Sequence, residues 1–273
     1  MLFRSLVIPI HKSYELVRHQ FAHFADDDFV QRQEIICLLT SVSGGEEEVA
    51  KFKHLMRRIY ELYAVPCRVL IANRNCSFSV ACNLGASASR GRYILQLNSD
   101  VFPKAPGWLQ RMVATLQSDP AIGIVGARLL YPDGSVQHVS VDWRRETACG
   151  DLLINVHPFK GMHPSLATEQ GVAEVGAVTG ACMLVRREEF VQLGMFDTGF
   201  IRGDCEDTDF CLRATAAGYR IVCENRAELY HLEGASYQPD SRRLLFQYNT
   251  GRQEKRWGAT IAQRTRLEAG VNG

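Results

Sequence analysis

No glycine-rich phosphate loop opens this chain of 273 residues. A Gly-x-Gly-x-x-Gly after the first apolar stretch and a loop lysine aimed at phosphates are both missing, which excludes the dinucleotide-binding and P-loop arrangements. A dense field of one charge is missing too. The 31 Lys and Arg are balanced by 30 Asp and Glu, and the net charge of +1 excludes broad nucleic-acid binding. No apolar run approaches the length of a membrane span, and the first nine residues are too short for a signal peptide. The nine cysteines contain no Cys-x-x-Cys pair. Most sit among apolar neighbours (Cys37, Cys82, Cys182, Cys211, Cys223), the pattern of small buried thiols in a reducing compartment rather than of disulfides or zinc ligands. A cytoplasmic protein is the expectation. Internal repeats and low-complexity segments are absent.

The residues that are present, 46% hydrophobic and 22% charged, suit one large domain or one and a half with an ample core. The first 130 residues alternate strand and helix patterns. Strands are expected at 5–10, closed by Pro9, and at 34–39, 68–72, 93–97 and 122–130. Between them, a helix capped by Ser13 buries Val17, Phe21 and Phe24. Another begins at Glu46–Glu48, negative residues that suit a helix N-terminus, and buries Val49, Phe52, Met56, Ile59 and Tyr63. Residues 79–90 and 108–117 complete the set. This alternation predicts a mostly parallel sheet with helices on both faces.

The stretch 93–100 is the most informative. An apolar strand ends abruptly in Asn98, Ser99 and Asp100. Oxygen-rich side chains at the carboxyl end of a strand stand where open α/β sheets bind ligands, and such oxygens suit Mg²⁺ or Mn²⁺. The same triplet is also ordinary turn chemistry.

The second half has a different texture. Residues 131–135 form a turn and 136–143 a hairpin arm. Residues 147–174 have no clear period and are long for a loop, which predicts a segment that is mobile until ligand binds. Residues 175–185 read as an apolar strand, 187–193 as a short helix, and 206–217 as a helix ended by Gly218. Residues 241–266 form a basic helical tail. It is expected to dock through Leu244, Tyr248 and Trp257. The competing expectation is peripheral contact with an anionic membrane surface.

Several motifs follow one another in order: Val7-Ile8-Pro9, Asn83-Leu84-Gly85, Leu97-Asn98-Ser99-Asp100, Thr179-Gly180-Ala181-Cys182, Gly194-Met195-Phe196-Asp197, Glu206-Asp207 and His231. Across residues 5–235 this set resembles the family 2 glycosyltransferases, inverting enzymes of the GT-A fold. The resemblance is greatest to rhamnosyltransferase-like and bacterial polysaccharide-building members.

It implies an α/β GT-A domain over 1–240, with a nucleotide-sugar half at 1–130 and an acceptor-binding half at 131–240, a small second β element, and a helical tail at 241–273. It also implies transfer of a sugar from a nucleotide-diphosphate donor to a glycan or lipid-linked acceptor in cell-surface polysaccharide synthesis. Such a protein is expected in the cytoplasm or at the inner face of the cytoplasmic membrane. Asp100 would be the principal ligand of a divalent metal (Mg²⁺ or Mn²⁺), with Asn98 and His231 beside it. Asp207 would be the general base, with Glu206 sharing or orienting that role. Pro9, His11, Thr40 and Asn83 fall where relatives hold the nucleoside.

One departure bears on the donor. Relatives end the second strand with an Asp that binds the base, whereas this chain has Thr40, Ser41 and Ser43. Hydroxyls replace the carboxylate, so base recognition is altered.

Taken alone, Glu206, Asp207 and Asp209 could simply complement a helix dipole, and His231 could be a satisfied surface histidine. Asp197 reads as structural. His138 and Trp143 read as hairpin residues or as sugar contacts. A non-catalytic GT-A domain that binds a nucleotide sugar or a partner enzyme is the alternative function. A sugar-nucleotide pyrophosphorylase would need a basic, glycine-rich loop after Pro9, which is missing.

Overall fold

The computed structural model describes residues 4–11, 14–40, 45–147, 150–167, 170–232 and 239–271. The expected cap at Ser13, and Ser41 and Ser43 after the second strand, lie outside them. The first half runs β1 (Arg4–Ile10), α1 (Tyr14–Ala25), α2 (Asp28–Gln31), β2 (Glu34–Leu39), α3 (Gly45–Tyr63), β3 (Arg68–Ile71), α4 (Phe78–Ala88), β4 (Tyr93–Leu97), β5 (Val101–Pro103), α5 (Trp108–Ser118) and β6 (Ile122–Leu130). Then come β7 (Val136–His138), β8 (Asp142–Glu146), β9 (Leu152–Val156), β10 (Val172–Glu174), β11 (Cys182–Arg186), α6 (Arg187–Gln192), α7 (Glu206–Ala216), β12 (Arg220–His231) and α8 (Pro239–Val271).

Local chemistry sets several boundaries. Asp27 caps α2 by accepting from the N–H groups of Phe29 and Val30, and Ser77 caps α4 by accepting from Val80 N–H. The acidic first turn of α3 complements its N-terminal dipole, and Phe52, Met56 and Ile59 form its buried stripe.

The main sheet has the order β3-β2-β1-β4-β11-β6-β12-β10, with β5 beside β12 and β7 beside β6. β1, β2, β3, β4, β6 and β12 run in one direction, and β11 runs against both its neighbours. The carboxyl ends of β1, β2, β4 and β12 and the amino end of β11 therefore share one edge. β8 and β9 form a separate antiparallel pair. This is the α/β architecture the sequence predicted, small second β element included.

Alternation along the strands divides the core. Leu6, Ile8, Ile10 and Leu95 pack with α1, α3 and α5, whereas Val7, Ile94, Met183 and Val185 pack with α4, α6 and α7. α4 lies so close to β1 that a Cβ on Gly85 would stand 2.2 Å from Val7 Cγ1, so only glycine fits there. On that same face Phe190, Phe196 and Phe210 meet edge to face, with centroids 4.9–5.7 Å apart. Phe210→Ala would cost about 3–5 kcal/mol.

Four expectations need correction. Pro9 does not close β1 but lies within it, opposite Leu38. Pairing with β4 stops at Val7, and a missing donor is tolerated where the strand is bonded on one side only. The segment 147–174 is not wholly irregular, since it contains β9 and β10, each too short to display a period. The strand expected at 175–185 starts only at Cys182, because residues 175–181 bridge to Val141 and then turn. Finally, Leu244 and Tyr248 do not dock α8: they are 73% and 50% exposed. Trp257 does pack, beside Leu153, Leu212 and Ile261. Among the described residues no helix is long and apolar enough to cross a membrane.

Candidate active site

The shared strand edge collects most of the residues singled out from sequence. At the ends of β1 and β2, the Thr40 hydroxyl donates to Ile10 O (3.1 Å) and accepts from His11 Nδ1 (3.3 Å). Pro9 is half-buried in the strand just before them. Beside β1, β4 delivers the Asn98-Ser99-Asp100 turn. The turn is held from outside by Gln20, a buried polar residue on the apolar face of α1, whose Nε2 donates to the carbonyls of Asn98 and Val101 (2.8 Å each).

Asp100 meets His231, the last residue of β12, with Oδ1 and Nε2 3.4 Å apart. Gln137 on β7 sets the ring: His231 Nδ1 donates to Gln137 Oε1 (2.6 Å), and Gln137 Nε2 donates to His231 O (3.0 Å). That bond uses a proton on Nδ1 and leaves Nε2 facing Asp100, where it can bind a cation through its lone pair. Asn98 Oδ1 is buried with no hydrogen-bond partner. An orphaned amide oxygen, a carboxylate and an imidazole nitrogen oriented by a second residue suit a divalent cation. Among the described residues no three His, Cys, Asp or Glu are grouped to hold a metal alone. A cation here would complete its shell with substrate oxygens, the usual habit of Mg²⁺.

The Thr179-Gly180-Ala181 turn before β11 ties this cluster to α7. Asn98 N donates to Ala181 O (2.9 Å). Gly180 N donates to Asp207 Oδ2 (2.8 Å), while Thr208 N donates to Oδ1 (2.8 Å). Thr179 N donates to His138 Nε2 (3.3 Å). Burial holds the His138 pKa well below its ordinary value, and nearby His157, His231 and Lys160 add to that. His138 is therefore neutral, its proton sits on Nδ1, and it is donated to His157 Nδ1 (3.0 Å).

The two carboxylates that open α7 differ. Glu206 is buried with Oε2 unpartnered, and burial, with the Asp207 charge next, pushes its pKa well above the ordinary 4.5. Asp207 is raised by burial, against the lowering effect of the Gly180 and Thr208 N–H groups. Asp207 thus combines raised basicity with a fixed geometry, and Glu206 faces inward with its charged form disfavoured.

The structure brings Asn98, Asp100, His231 and Asp207 together through the Thr179–Ala181 turn, with His11 and Thr40 further along the same edge. Asn83 has other work. Its Nδ2 donates to Phe196 O (2.8 Å) and its Oδ1 accepts from Phe196 N (3.0 Å), which pins the chain leading to Asp197. Asp197 accepts from Gly199 N and pairs with Arg252 and Arg256. Sequence reasoning missed Gln20 and Gln137, and offered His138 only as a hairpin residue or a sugar contact. Only Gln20 had a signal, a polar residue in register with Val17, Phe21 and Phe24.

Comparison with known proteins agrees with this geometry. The Glycosyl transferase family 2 profile matches residues 5–191, and the chain belongs to that family. Three curated relatives are an uncharacterized protein, y4gI, of Sinorhizobium fredii (35% identical over 70% of this chain and 21% of that one), the O-antigen biosynthesis protein RfbC of Myxococcus xanthus (36%; 58% and 12%), and the N-acetylglucosaminyl-diphospho-decaprenol L-rhamnosyltransferase of Mycobacterium tuberculosis (29%; 51% and 46%). The chain thus spans less than half the length of each. Among solved structures, GalNAc-T7 with UDP, GalNAc and Mn²⁺ superimposes with a TM-score of 0.65 at 17% identity, covering 86% of this chain and 45% of that one. The Pyrobaculum calidifontis mannosyltransferase PcManGT with GDP-Man and Mn²⁺ gives 0.60 at 15% identity, covering 86% and 58%. The fold is that of the GT-A glycosyltransferases.

Proposed function

We propose that this protein is an inverting, metal-dependent glycosyltransferase of cell-surface polysaccharide synthesis, moving a sugar from a nucleotide-diphosphate donor to a glycan or lipid-linked acceptor. The observation that carries the reading is the joining of Asp100, His231 and Asp207 at one sheet edge through a single turn, with the Asp207 carboxylate held by two backbone N–H groups. Relatives named for O-antigen biosynthesis and for rhamnosyl transfer support the polysaccharide setting.

In this reading Asp207 accepts the proton of the acceptor hydroxyl as that oxygen attacks the anomeric carbon. The bond from that carbon to the diphosphate oxygen breaks, the configuration inverts, and the nucleoside diphosphate leaves. The raised pKa brings Asp207 closer to the operating pH, where a general base works best. Burial and the Asp207 charge disfavour a second charge at Glu206 beside it. Asn98, Asp100 and His231 would hold a divalent metal, which supplies charge neutralisation to the leaving diphosphate. His11 and Thr40 offer ring and hydroxyl contacts to the nucleoside, with Pro9 shaping the strand end. Asn83 positions Phe196 instead of touching the donor.

The test is a panel of nucleotide-sugar donors with Mn²⁺ present, read by release of nucleoside diphosphate and by thermal shift. A true donor at about a hundredfold its dissociation constant should stabilise the fold by roughly 2.7 kcal/mol. Absence of both stabilisation and turnover across the panel would contradict the reading.

A further inference from the structure

The backbone just before Glu206 is unusual. Arg202, Gly203, Asp204 and Cys205 have φ values of 64, 126, 78 and 74° in succession, and three of the four are not glycine. Left-handed backbone disfavours side-chain-bearing residues, and runs of it persist only where surrounding structure over-determines them. No capping side chain bonds the first turn of α7 from Cys205. Asn155 Nδ2 on β9 donates to Cys205 Sγ (3.6 Å), and α8 adds a further hold.

Asn249 is fully buried. Its Oδ1 accepts from Ile201 N (2.9 Å), and its Nδ2 donates to Ile201 O (3.0 Å) and to Gly203 O (2.8 Å). One turn along the same helix, buried Gln253 accepts from the Thr208 hydroxyl (2.6 Å) and donates to Asn155 Oδ1 on β9 (3.0 Å). A further turn on, Trp257 Nε1 donates to Asp209 Oδ1 (2.8 Å). The spacing 249, 253, 257 is one helix face. Its contacts bracket Glu206 and Asp207, with Ile201 and Gly203 before them and Thr208 and Asp209 after. An apolar face could not satisfy these backbone groups, which explains why the stripe is polar although it is buried.

We infer that Asn249 and Gln253 are positioning residues for the base: α8 holds the left-handed segment 202–205 and so fixes where Asp207 stands. The inference rests on the reading of Asp207 as the general base. It adds that the C-terminal helix, outside the region matched by the family, completes the reaction geometry.

Two readouts test it on the full chain. The first is hydrogen exchange across 201–208 without ligand, and the second is turnover against donor KM. In Asn249→Ala, exchange in that segment should rise at least about tenfold while β1–β4 stay protected. Turnover should fall about tenfold or more with donor KM within about twofold, because the loss is confined to the transition state. Leu244→Ala, on the exposed face of the same helix, should change neither. Should Asn249→Ala not fold, Asn249→Asp decides the matter. Its acid form keeps one donor and one acceptor, so its turnover should decline as pH rises and the carboxylate faces two carbonyls. Unaltered exchange at 201–208 in a folded variant, or a loss of turnover equal to the loss of folded protein, would overturn the inference. If the wild type uses no donor at all, the glycosyltransferase reading fails, while the exchange measurement still decides the clamp.

Discussion

His231 points its Nε2 at Asp100, 3.4 Å from Oδ1, because Gln137 holds the opposite ring nitrogen and the backbone carbonyl of the same residue. β5 begins directly after Asp100 and pairs with β12, which sets His231 opposite Val101, and Leu232 N donates to Asp100 O (3.0 Å), so backbone pairing brings the two residues together and Gln137 orients the ring. Gln137→Leu should keep the fold and lower Mn²⁺ affinity by about 10- to 100-fold, the usual size of such outer contacts. Titration calorimetry with Mn²⁺ and a nucleoside diphosphate checks it. Unchanged affinity would mean that His231 lies outside the metal site.

Asp100→Ala should abolish Mn²⁺-dependent donor binding with little loss of stability, because the side chain lies in the turn after β4 and meets His231 rather than an apolar cluster. Calorimetry with and without Mn²⁺ gives the answer. Donor binding that keeps its metal dependence would exclude Asp100 as a ligand.

Glu206 makes a pH prediction. Its pKa is raised on folding by burial, then by the Asp207 charge. The folded state therefore binds more protons than the unfolded state above pH 4.5, and stability falls as pH rises through the folded pKa. Glu206→Gln should remove that slope and stabilise the protein at high pH, by about 1.4 kcal/mol for each unit of the shift. Denaturant unfolding from pH 5 to 9 measures it. An unaltered slope would place the titration elsewhere.

How much of this was legible in the sequence depended on how local the determinant was. β2, β4 and β6 showed their full extent because each is a mostly apolar run buried on both faces. Asn98, Asp100, Asp207 and His231 could be picked out because the order of motifs around them points to a family. Gln137 could not, because its partner lies 94 residues away and nothing beside it marks the pairing, and His138 reads only as a hairpin residue or a sugar contact because Thr179, its partner, lies 41 residues away. α8 misled for a related reason. Leu244 and Tyr248 read as its buried face, whereas Asn249 meets backbone donors and acceptors before α7 and Gln253 meets Thr208 and Asn155, so the polar face turned inward.

The central claim is that Asp207, held by Gly180 and Thr208, removes the acceptor proton. The most direct measurement is steady-state turnover of Asp207→Asn beside Glu206→Gln, with donor affinity measured separately for each. The account expects Asp207→Asn to lose about 10²- to 10⁴-fold in turnover with donor affinity nearly unchanged, and Glu206→Gln to retain most activity. An active Asp207→Asn beside an inactive Glu206→Gln would contradict it and move the base to Glu206.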